Sequence, residues 1–457
     1  MYLEPGIFGP LLKRPVLAKV NFYLQGKSLG VADLLLRVFA DLQVHSPYSR
    51  ATSKNMNLKE VARFASMKGL NVVGTGDFTH PDWRNEIRRD LLDVEDSGLY
   101  SLRDSTLQVR YMLTGEVNTT FQFKERSRRI HHCLLAPSIE SAETVSDRLA
   151  KYGNLLSDGR PTLRATAPEL VAEVLEADSQ CVIFPAHAWT PWFSLFGANS
   201  GFDSLIDCYQ DRSDRIFALE TGMSSDSPMN WRLSQLDRLC LVSNSDAHSA
   251  WPWRLGREAN VFDLEHLTYH NLVGAIRDKD PRRFLFTIET SPAYGKYHWT
   301  GHRECSVSMS AKDAQLLGDK CPKCGRKMTR GVEERVEELA DRPEGYVPEN
   351  AIGYRHLLPL SEIIAIVIGE VNPGSTKVWD SYNALVGRFG SEYSVMLDAP
   401  EDQLLLAAGP EITRAVLRVR NDNVFVEPGY DGLYGRLDLN KPAPIKKSPA
   451  LGLEQFV

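Results

Sequence analysis

Residues able to bind metal recur at the ends of hydrophobic runs along half of this chain. The segments are Asp41-Leu-Gln-Val-His45, Gly74-Thr-Gly-Asp-Phe-Thr-His80, Phe184-Pro-Ala-His187 and Ser243-Asn-Ser-Asp-Ala-His248. Gly115-Glu116 and His131-His132 extend the series. Polar side chains are costly to bury unless they are paired, so their return at one strand end after another constrains the fold. Several strands must aim their carboxyl ends at one place, as β/α barrels and doubly wound sheets do. Imidazole nitrogens and carboxylate oxygens that meet there make a multinuclear metal site, which is equipment for hydrolysis.

Strand-like runs near residues 38–45, 72–76, 181–185, 216–220, 239–243 and 284–288 alternate with helical patterns. Asn57-Leu-Lys-Glu60 opens one helix, which Gly69 ends, and Thr166-Ala-Pro-Glu169 opens another; a further helix spans 141–151. Short apolar strands separated by amphipathic helices predict a parallel sheet. The number of strands favours a distorted β/α barrel over an open sheet.

Each candidate ligand has its own warrant. Asp41, Gln43 and His45 share one strand face by the period of two, and three polar groups on a buried face call for something to bind. Of Asp77 and His80, one is expected as a ligand and the other as its support, and both are carried as metal-site candidates. Glu116 follows Gly115, where backbone can approach closely. Neighbouring strand residues point oppositely, so His131 is taken over His132. His187 ends an apolar strand, and Asp246 and His248 share a face. The candidate metal set is therefore His45, Asp77, His80, Glu116, His131, His187, Asp246 and His248. Asp246, Glu116 and His187 are also expected to act in the reaction. Carboxylates mixed with imidazoles suit two or more divalent metals (zinc, manganese or magnesium). Phosphoester hydrolysis is the natural chemistry, with amide hydrolysis as the competitor.

His302-Arg-Glu-Cys305 and Cys321-Pro-Lys-Cys324 have the spacing of a zinc ribbon. His302, Cys305, Cys321 and Cys324 are expected to hold one structural zinc, with His298 also within reach as the fourth ligand. The remaining cysteines sit singly in apolar runs and suggest no disulfide framework, which favours a reducing cytoplasm. No apolar run approaches the roughly 18 residues of a membrane span. A net charge of −6, from 53 basic and 59 acidic residues, excludes a wholly electrostatic nucleic-acid binder. Two local basic clusters, Lys124 to Arg129 and Lys320 to Arg330, are open to phosphate contact or to a solvated hairpin tip.

Aromatic residues gather just after the ligands. Trp189, Trp192 and Phe193 follow His187, and Trp253 follows His248. Such rings stack on bases when they line a rim. With Arg50, Arg254, Tyr430 and Tyr434 they form the candidate DNA-contacting set. Residues 333–350 read as a linker and 360–420 as a smaller helical region.

The order of these motifs resembles the PHP (polymerase and histidinol phosphatase) superfamily. More narrowly, Tyr48-Ser-Arg-Ala-Thr-Ser-Lys54, Gly74-Thr-Gly-Asp-Phe-Thr-His-Pro81, Ser243-Asn-Ser-Asp-Ala-His248, the ribbon and Pro428-Gly-Tyr-Asp-Gly-Leu-Tyr-Gly435 resemble the endonuclease Q family. The resemblance implies a PHP-type barrel with an inserted zinc ribbon and a small, mainly helical C-terminal domain. The divisions are an N-terminal extension (1–37), the metallohydrolase domain (38–296), the ribbon (297–340), the helical domain (341–440) and a flexible tail (441–457). It also implies a metal-dependent DNA repair endonuclease. Such enzymes cut on the 5′ side of a deaminated base (uracil, hypoxanthine, xanthine) or an abasic site, leave 3′-hydroxyl and 5′-phosphate ends, and turn the lesion nucleotide out of the stack. A PHP phosphomonoesterase, such as a histidinol phosphatase, is one alternative. The superfamily's usual His-x-His is Gln43-Val-His45 here, and an amide oxygen is a weaker ligand than imidazole. The resemblance therefore implies two metals and not a third, and a non-catalytic DNA-binding module is another alternative. Leu451-Gly-Leu-Glu-Gln-Phe-Val457 faintly resembles a sliding-clamp-binding tail.

Overall fold

Short hydrophobic runs of the first half close into a ring of strands. The computed structural model describes residues 36–439 and 441. The expected N-terminal extension up to residue 35, and the tail with its clamp motif beyond Lys441, lie outside the described residues. The strands in chain order are β1 (Leu36–Asp41), β2 (Val72–Gly74), β3 (Leu91–Asp93), β4 (Tyr100–Leu102), β5 (Arg110–Phe123), β6 (Arg126–Ala136), β7 (Thr162–Leu163), β8 (Val182–Pro185), β9 (Ala218–Glu220), β10 (Cys240–Val242), β11 (Ala259–Leu264) and β12 (Phe284–Glu289). β1 and β2 are parallel, as are β2 and β5, whereas β6 runs antiparallel to both β5 and β8. Ala188 N donates to Glu220 O and Thr221 N to Val242 O, which carries the ring on to β9 and β10. A parallel bridge between Val44 and Ala247 returns it to the end of β1.

The result is the distorted β/α barrel expected, but its sheet is mixed, not parallel. β5 and β6 form a long hairpin, and β11 lies antiparallel to β1 and β12. The hairpin turns on Lys124 and Glu125, both left-handed at φ 47 and 63, the backbone of a two-residue turn that matches strand twist. A hairpin of this kind has no helix between its strands, so the alternation of strand and helix does not announce it.

The helices follow their caps. Asn57 accepts from Glu60 N before helix Leu58–Lys68, and Gly69 ends it at φ 100. Thr166 and Glu169 form a full capping box before helix Ala167–Ala177. Of the expected linker 333–350, residues 340–350 form neither helix nor strand, but its start is helical. Val332–Leu339 is a helix whose Val332, Arg335 and Val336 are buried. Arg335 donates to the carbonyls of Phe196 and Phe202 at 3.1 Å and pairs with Asp203. The four glutamates of this helix hid its narrow buried stripe.

The ribbon contributes β13 (Thr300–His302) and β14 (Val307–Met309), an antiparallel pair with its own small core of Val307, Met309, Ala314, Cys321 and Met328. β15 (Gly353–His356) adds to the barrel sheet beside β12. Helices Leu360–Ile368, Thr376–Phe389 and Glu401–Arg420 then build the small helical region, the last one kinked where Gly409 turns left-handed before Pro410. Among the described residues no helix is long and apolar enough to cross a membrane.

Candidate metal centre

The strand ends bring two groups of ligand-type side chains together. His45, Asp246 and His248 form one; Glu116, His131 and His187 form the other; within each, one atom per residue lies within 4.8 Å of the others. Glu116 joins them. Its Oε2 lies 3.1 Å from His45 Nε2, and its Oε1 lies 2.5 Å from His131 Nδ1 and 3.5 Å from His187 Nε2. One carboxylate thus turns an oxygen toward each group. His45 Nε2 also lies 2.9 Å from Asp246 Oδ1.

The backbone is bent to make this happen. Asp77, His187 and Asp246 are non-glycine residues with φ of 48, 30 and 48. Left-handed backbone at such residues costs roughly 1–3 kcal/mol each and gathers at functional sites. At His187 the bend is held by Glu220, whose Oε2 accepts from His187 N at 2.7 Å while Oε1 accepts from Asn244 Nδ2 at 2.7 Å. Burial raises the Glu220 carboxyl to about 8.

The electrostatics follow the packing. Burial pushes His45 down, but Asp77, Asp246 and Glu116 outweigh it and hold the imidazole well above its ordinary value. Burial pushes Glu116 up, but the Arg160 guanidinium and His131 outweigh it and hold the carboxyl well below its usual range. His131 is pushed down to about 4, mainly by burial.

Asp77 and His80, both carried as metal-site candidates, lie outside the two groups. Asp77 Oδ2 accepts from Ser46 N and Ser46 Oγ at 2.6 Å and from Ser49 Oγ at 2.8 Å, and Oδ1 faces His45 Nδ1 at 3.1 Å. Three donors crowd Oδ2, and Oδ1 is left to His45. Asp77 therefore fixes His45 with Nε2 facing the cluster. The left-handed turn at Asp77 leads into His80, the N-cap of helix Pro81–Asp90, and the His80 ring packs on Tyr48 with centroids 4.4 Å apart, outside both groups. Gln43 points inward and donates to Glu116 Oε2 at 2.8 Å, while its own Oε1 is buried without a hydrogen-bond partner. His132 faces away, between Thr119 Oγ1 and Tyr209 OH, each at 2.9 Å.

The expected DNA contacts divide. Trp189 is core, with 1% of its surface exposed and its Nε1 donating to Asn230. Trp253 stacks on Trp251 at 4.9 Å and meets Trp379 of the helical region. Arg254 pairs with Glu362, and the Tyr430 ring lies on Gly301. Trp189 is buried, whereas Trp253, Arg254 and Tyr430 are packed on one side and partly exposed on the other. Phe193 stays at the site, its ring 5.0 Å from that of His131, and Trp192 and Tyr434 are exposed. Arg50 is exposed and leans on Asp158 at 3.4 Å.

Sequence reasoning missed Arg160. Its Nη1 lies 3.6 Å from Glu116 Oε1. It is placed there by Gly159, where any Cβ would collide with Asp77 Oδ2 and Ser49 Oγ. The short polar run Asp158-Gly-Arg160 reads as an ordinary turn, and no signal in it marks a cation beside the cluster.

In the ribbon, His302, Cys305, Cys321 and Cys324 form a third group within 4.8 Å. His298 is not part of it; its ring is buried beside Glu333.

The chain as a whole has counterparts among solved structures. The chain is 35% identical to the lesion-specific endonuclease PfuEndoQ of Pyrococcus furiosus, whose crystal structure it matches with a TM-score of 0.79 over 92% of this chain and 99% of that one. The chain belongs to the endonuclease Q family. A second endonuclease Q structure, holding a 27-mer duplex substrate with an abasic lesion at the active site, matches at 35% identity and a TM-score of 0.78 over 90% and 97% of the two chains. Residues 359–423 match the family described as the MJ0043 C-terminal domain. Protein MJ0043 of Methanocaldococcus jannaschii is 31% identical over 267 residues, 57% of this chain, and the match spans 32% of that protein's length.

Proposed function

We propose that this chain is a metal-dependent DNA repair endonuclease. It hydrolyses the phosphodiester 5′ to a deaminated base or an abasic site and leaves 3′-hydroxyl and 5′-phosphate ends. The observation that carries the chemistry is the Glu116 carboxylate, which faces His45 with one oxygen and His131 and His187 with the other. A carboxylate between two groups of ligands suits a pair of divalent cations.

The residues fit such a pair. Both groups mix imidazole with carboxylate, the donor set of zinc, manganese or magnesium, and a buried, unpartnered Gln43 Oε1 lies at the same place. His45, Asp246 and His248 would hold one ion, and His131 and His187 the other, with Glu116 between them. When bound, the ions supply Lewis acidity for attack of water on the phosphodiester. The chain's own side chains do the rest. Asp77 fixes His45, Gln43 fixes Glu116, and Glu220 holds the bend at His187. Arg160 sets a fixed cation beside the place where an anionic phosphate must bind. The ribbon group fits one structural zinc, because four protein ligands leave no open position.

The reading is tested with end-labelled duplexes carrying one uracil, hypoxanthine or abasic site. Nicking on the 5′ side of the lesion, dependent on added divalent metal and absent from undamaged DNA, is the expected result. Release of phosphate from small monoesters without nicking would reject it in favour of a phosphatase.

A further inference from the structure

Leu433 and Tyr434 stand side by side in solvent at the crown of the turn 428–435, 43% and 48% exposed. Neighbouring large apolar groups on a surface mark a contact site more often than isolated ones do. This pair is also rigidly presented. Gly429 N, Gly432 N and Gly435 N donate to the carbonyls of Ala293, Lys296 and Tyr294 at 2.9, 3.0 and 3.1 Å. A Cβ at Gly429 or Gly435 would collide with the backbone oxygen of Gly295 or Ala293, so the turn lies flush on that segment. From the ribbon, Arg303 N and Thr329 Oγ1 donate to Asp431 at 2.7 and 2.6 Å. Within the turn, Tyr430 and Leu433 exchange backbone hydrogen bonds of 3.0 and 2.8 Å. A tip ordered in advance loses little freedom on binding.

The segment beneath the turn leads to the metal centre by two routes. A Cβ at Gly295 would stand 2.9 Å from Met223 O, and the preceding Gly222 lies against His187. Tyr297 meets Trp192, in the loop after His187, at 5.6 Å between ring centroids. The flanks are cationic. Lys296 Nζ sits 4.7 Å over the Tyr434 ring, and Arg303 and Arg436 are exposed beside the turn. Apolar tip, cationic flanks and fixed backbone suit a partner whose phosphates run on either side of an apolar stack.

We infer that Leu433 and Tyr434 form a wedge that enters the base stack of duplex DNA beside the lesion. The inference rests on the reading of the chain as a lesion endonuclease. A base must leave the stack to reach a pocket, and unstacking a step costs a few kcal/mol, which an inserted apolar side chain offsets. Tyr434 supplies a ring to replace the lost stacking, and Leu433 fills the gap next to it.

The test uses the full chain and a duplex with one uracil beside 2-aminopurine, which brightens when unstacked. The wild-type protein should raise the fluorescence on binding, and the double variant Leu433→Ser/Tyr434→Ser should lose most of that rise. Its nicking of the paired duplex should fall about tenfold further than its nicking of the same uracil in a preformed bubble, tenfold corresponding to ~1.4 kcal/mol. Tyr434→Phe, which keeps the ring, should retain the signal. An unchanged rise and an unchanged duplex-to-bubble ratio in the double variant would overturn the wedge, as would wild-type nicking with no rise at all. Failure of the wild-type protein to nick either substrate would overturn the endonuclease reading instead.

Discussion

Gln43 donates its side-chain amide to Glu116 Oε2 across 2.8 Å, and both side chains are buried. The amide sets the rotation of the one carboxylate that faces both ligand groups. Gln43 thus orients Glu116. Groups that orient a metal ligand typically contribute 10–100-fold, to order of magnitude, in metal affinity or activity. Gln43→Ala should lower the nicking rate within that range and shift its metal-titration midpoint upward. A variant with wild-type rate and midpoint would show that Glu116 needs no such partner.

Lys68 and Glu392 tie the barrel to the helical region. Lys68 Nζ donates to Glu392 Oε1 at 2.7 Å and to Pro252 O at 2.8 Å, and each charged side chain is 2% exposed. Glu392 also accepts from Leu360 N and Tyr382 OH, each at 2.9 Å. Removing one partner of a buried pair leaves an uncompensated charge, at a cost of about 3–5 kcal/mol. Lys68→Met should lower the urea midpoint accordingly. A loss below about 1 kcal/mol would mean that Leu360 and Tyr382 suffice for Glu392.

Glu258 makes stability depend on pH. It accepts from Thr290 N at 3.1 Å and Ser243 Oγ at 3.3 Å. Burial raises its carboxyl to about 8, against the pull of Arg257, from an ordinary value of 4.5. Between these values the folded chain keeps a proton that the unfolded chain releases. The contribution is fully present below 4.5 and is lost as pH rises to about 8. Glu258→Gln, which cannot ionise, should lose less stability than the wild type between those limits. Equal slopes of unfolding free energy against pH would refute the assignment.

The metal-seeking residues were legible because their position at strand ends has no cheap structural explanation. His45, Glu116, His187 and Asp246 converge as the period of two and the strand ends require. What separates a ligand from its support was not legible, because it depends on donors elsewhere. The donors to Asp77 Oδ2 are Ser46 and Ser49, far earlier in the chain. Trp189 and Trp192 are three residues apart in one loop, yet one is core and the other exposed, and only the partner Asn230 decides that. The mixed sheet was hidden by a hairpin whose turn contains no glycine. The helix Val332–Leu339 was hidden because half of its buried face is charged, Glu334 and Arg335 beside Val332 and Val336.

A zinc held by His302, Cys305, Cys321 and Cys324 would support the folding of the ribbon. Its separate core has five buried residues, Cys321 among them, too few to offset the entropy of ordering a segment of this length. Cys321→Ser should therefore release one zinc per chain and open residues 303–330 to limited proteolysis. The barrel should keep its cooperative transition. Retention of the metal together with full protection of that segment would contradict a zinc-dependent ribbon.

Arg160 tests the centre from the side that the sequence did not reveal. Its guanidinium lies 3.6 Å from Glu116 Oε1, and Gly159 presses the same loop onto Asp77 and Ser49. The cation cannot retreat without moving that loop. A fixed positive charge next to a phosphate gains value as charge builds on the phosphate oxygens, and removing one such group costs about 10²-fold in rate. Arg160→Ala should therefore lower kcat by about that factor and change KM far less. Arg160→Lys should recover part of the loss, since it returns the charge but not the planar fork. Metal content measured on both variants separates two causes. With metal retained and kcat reduced, Arg160 acts on the phosphate. With metal lost in proportion to the rate, it acts by holding Glu116 in place.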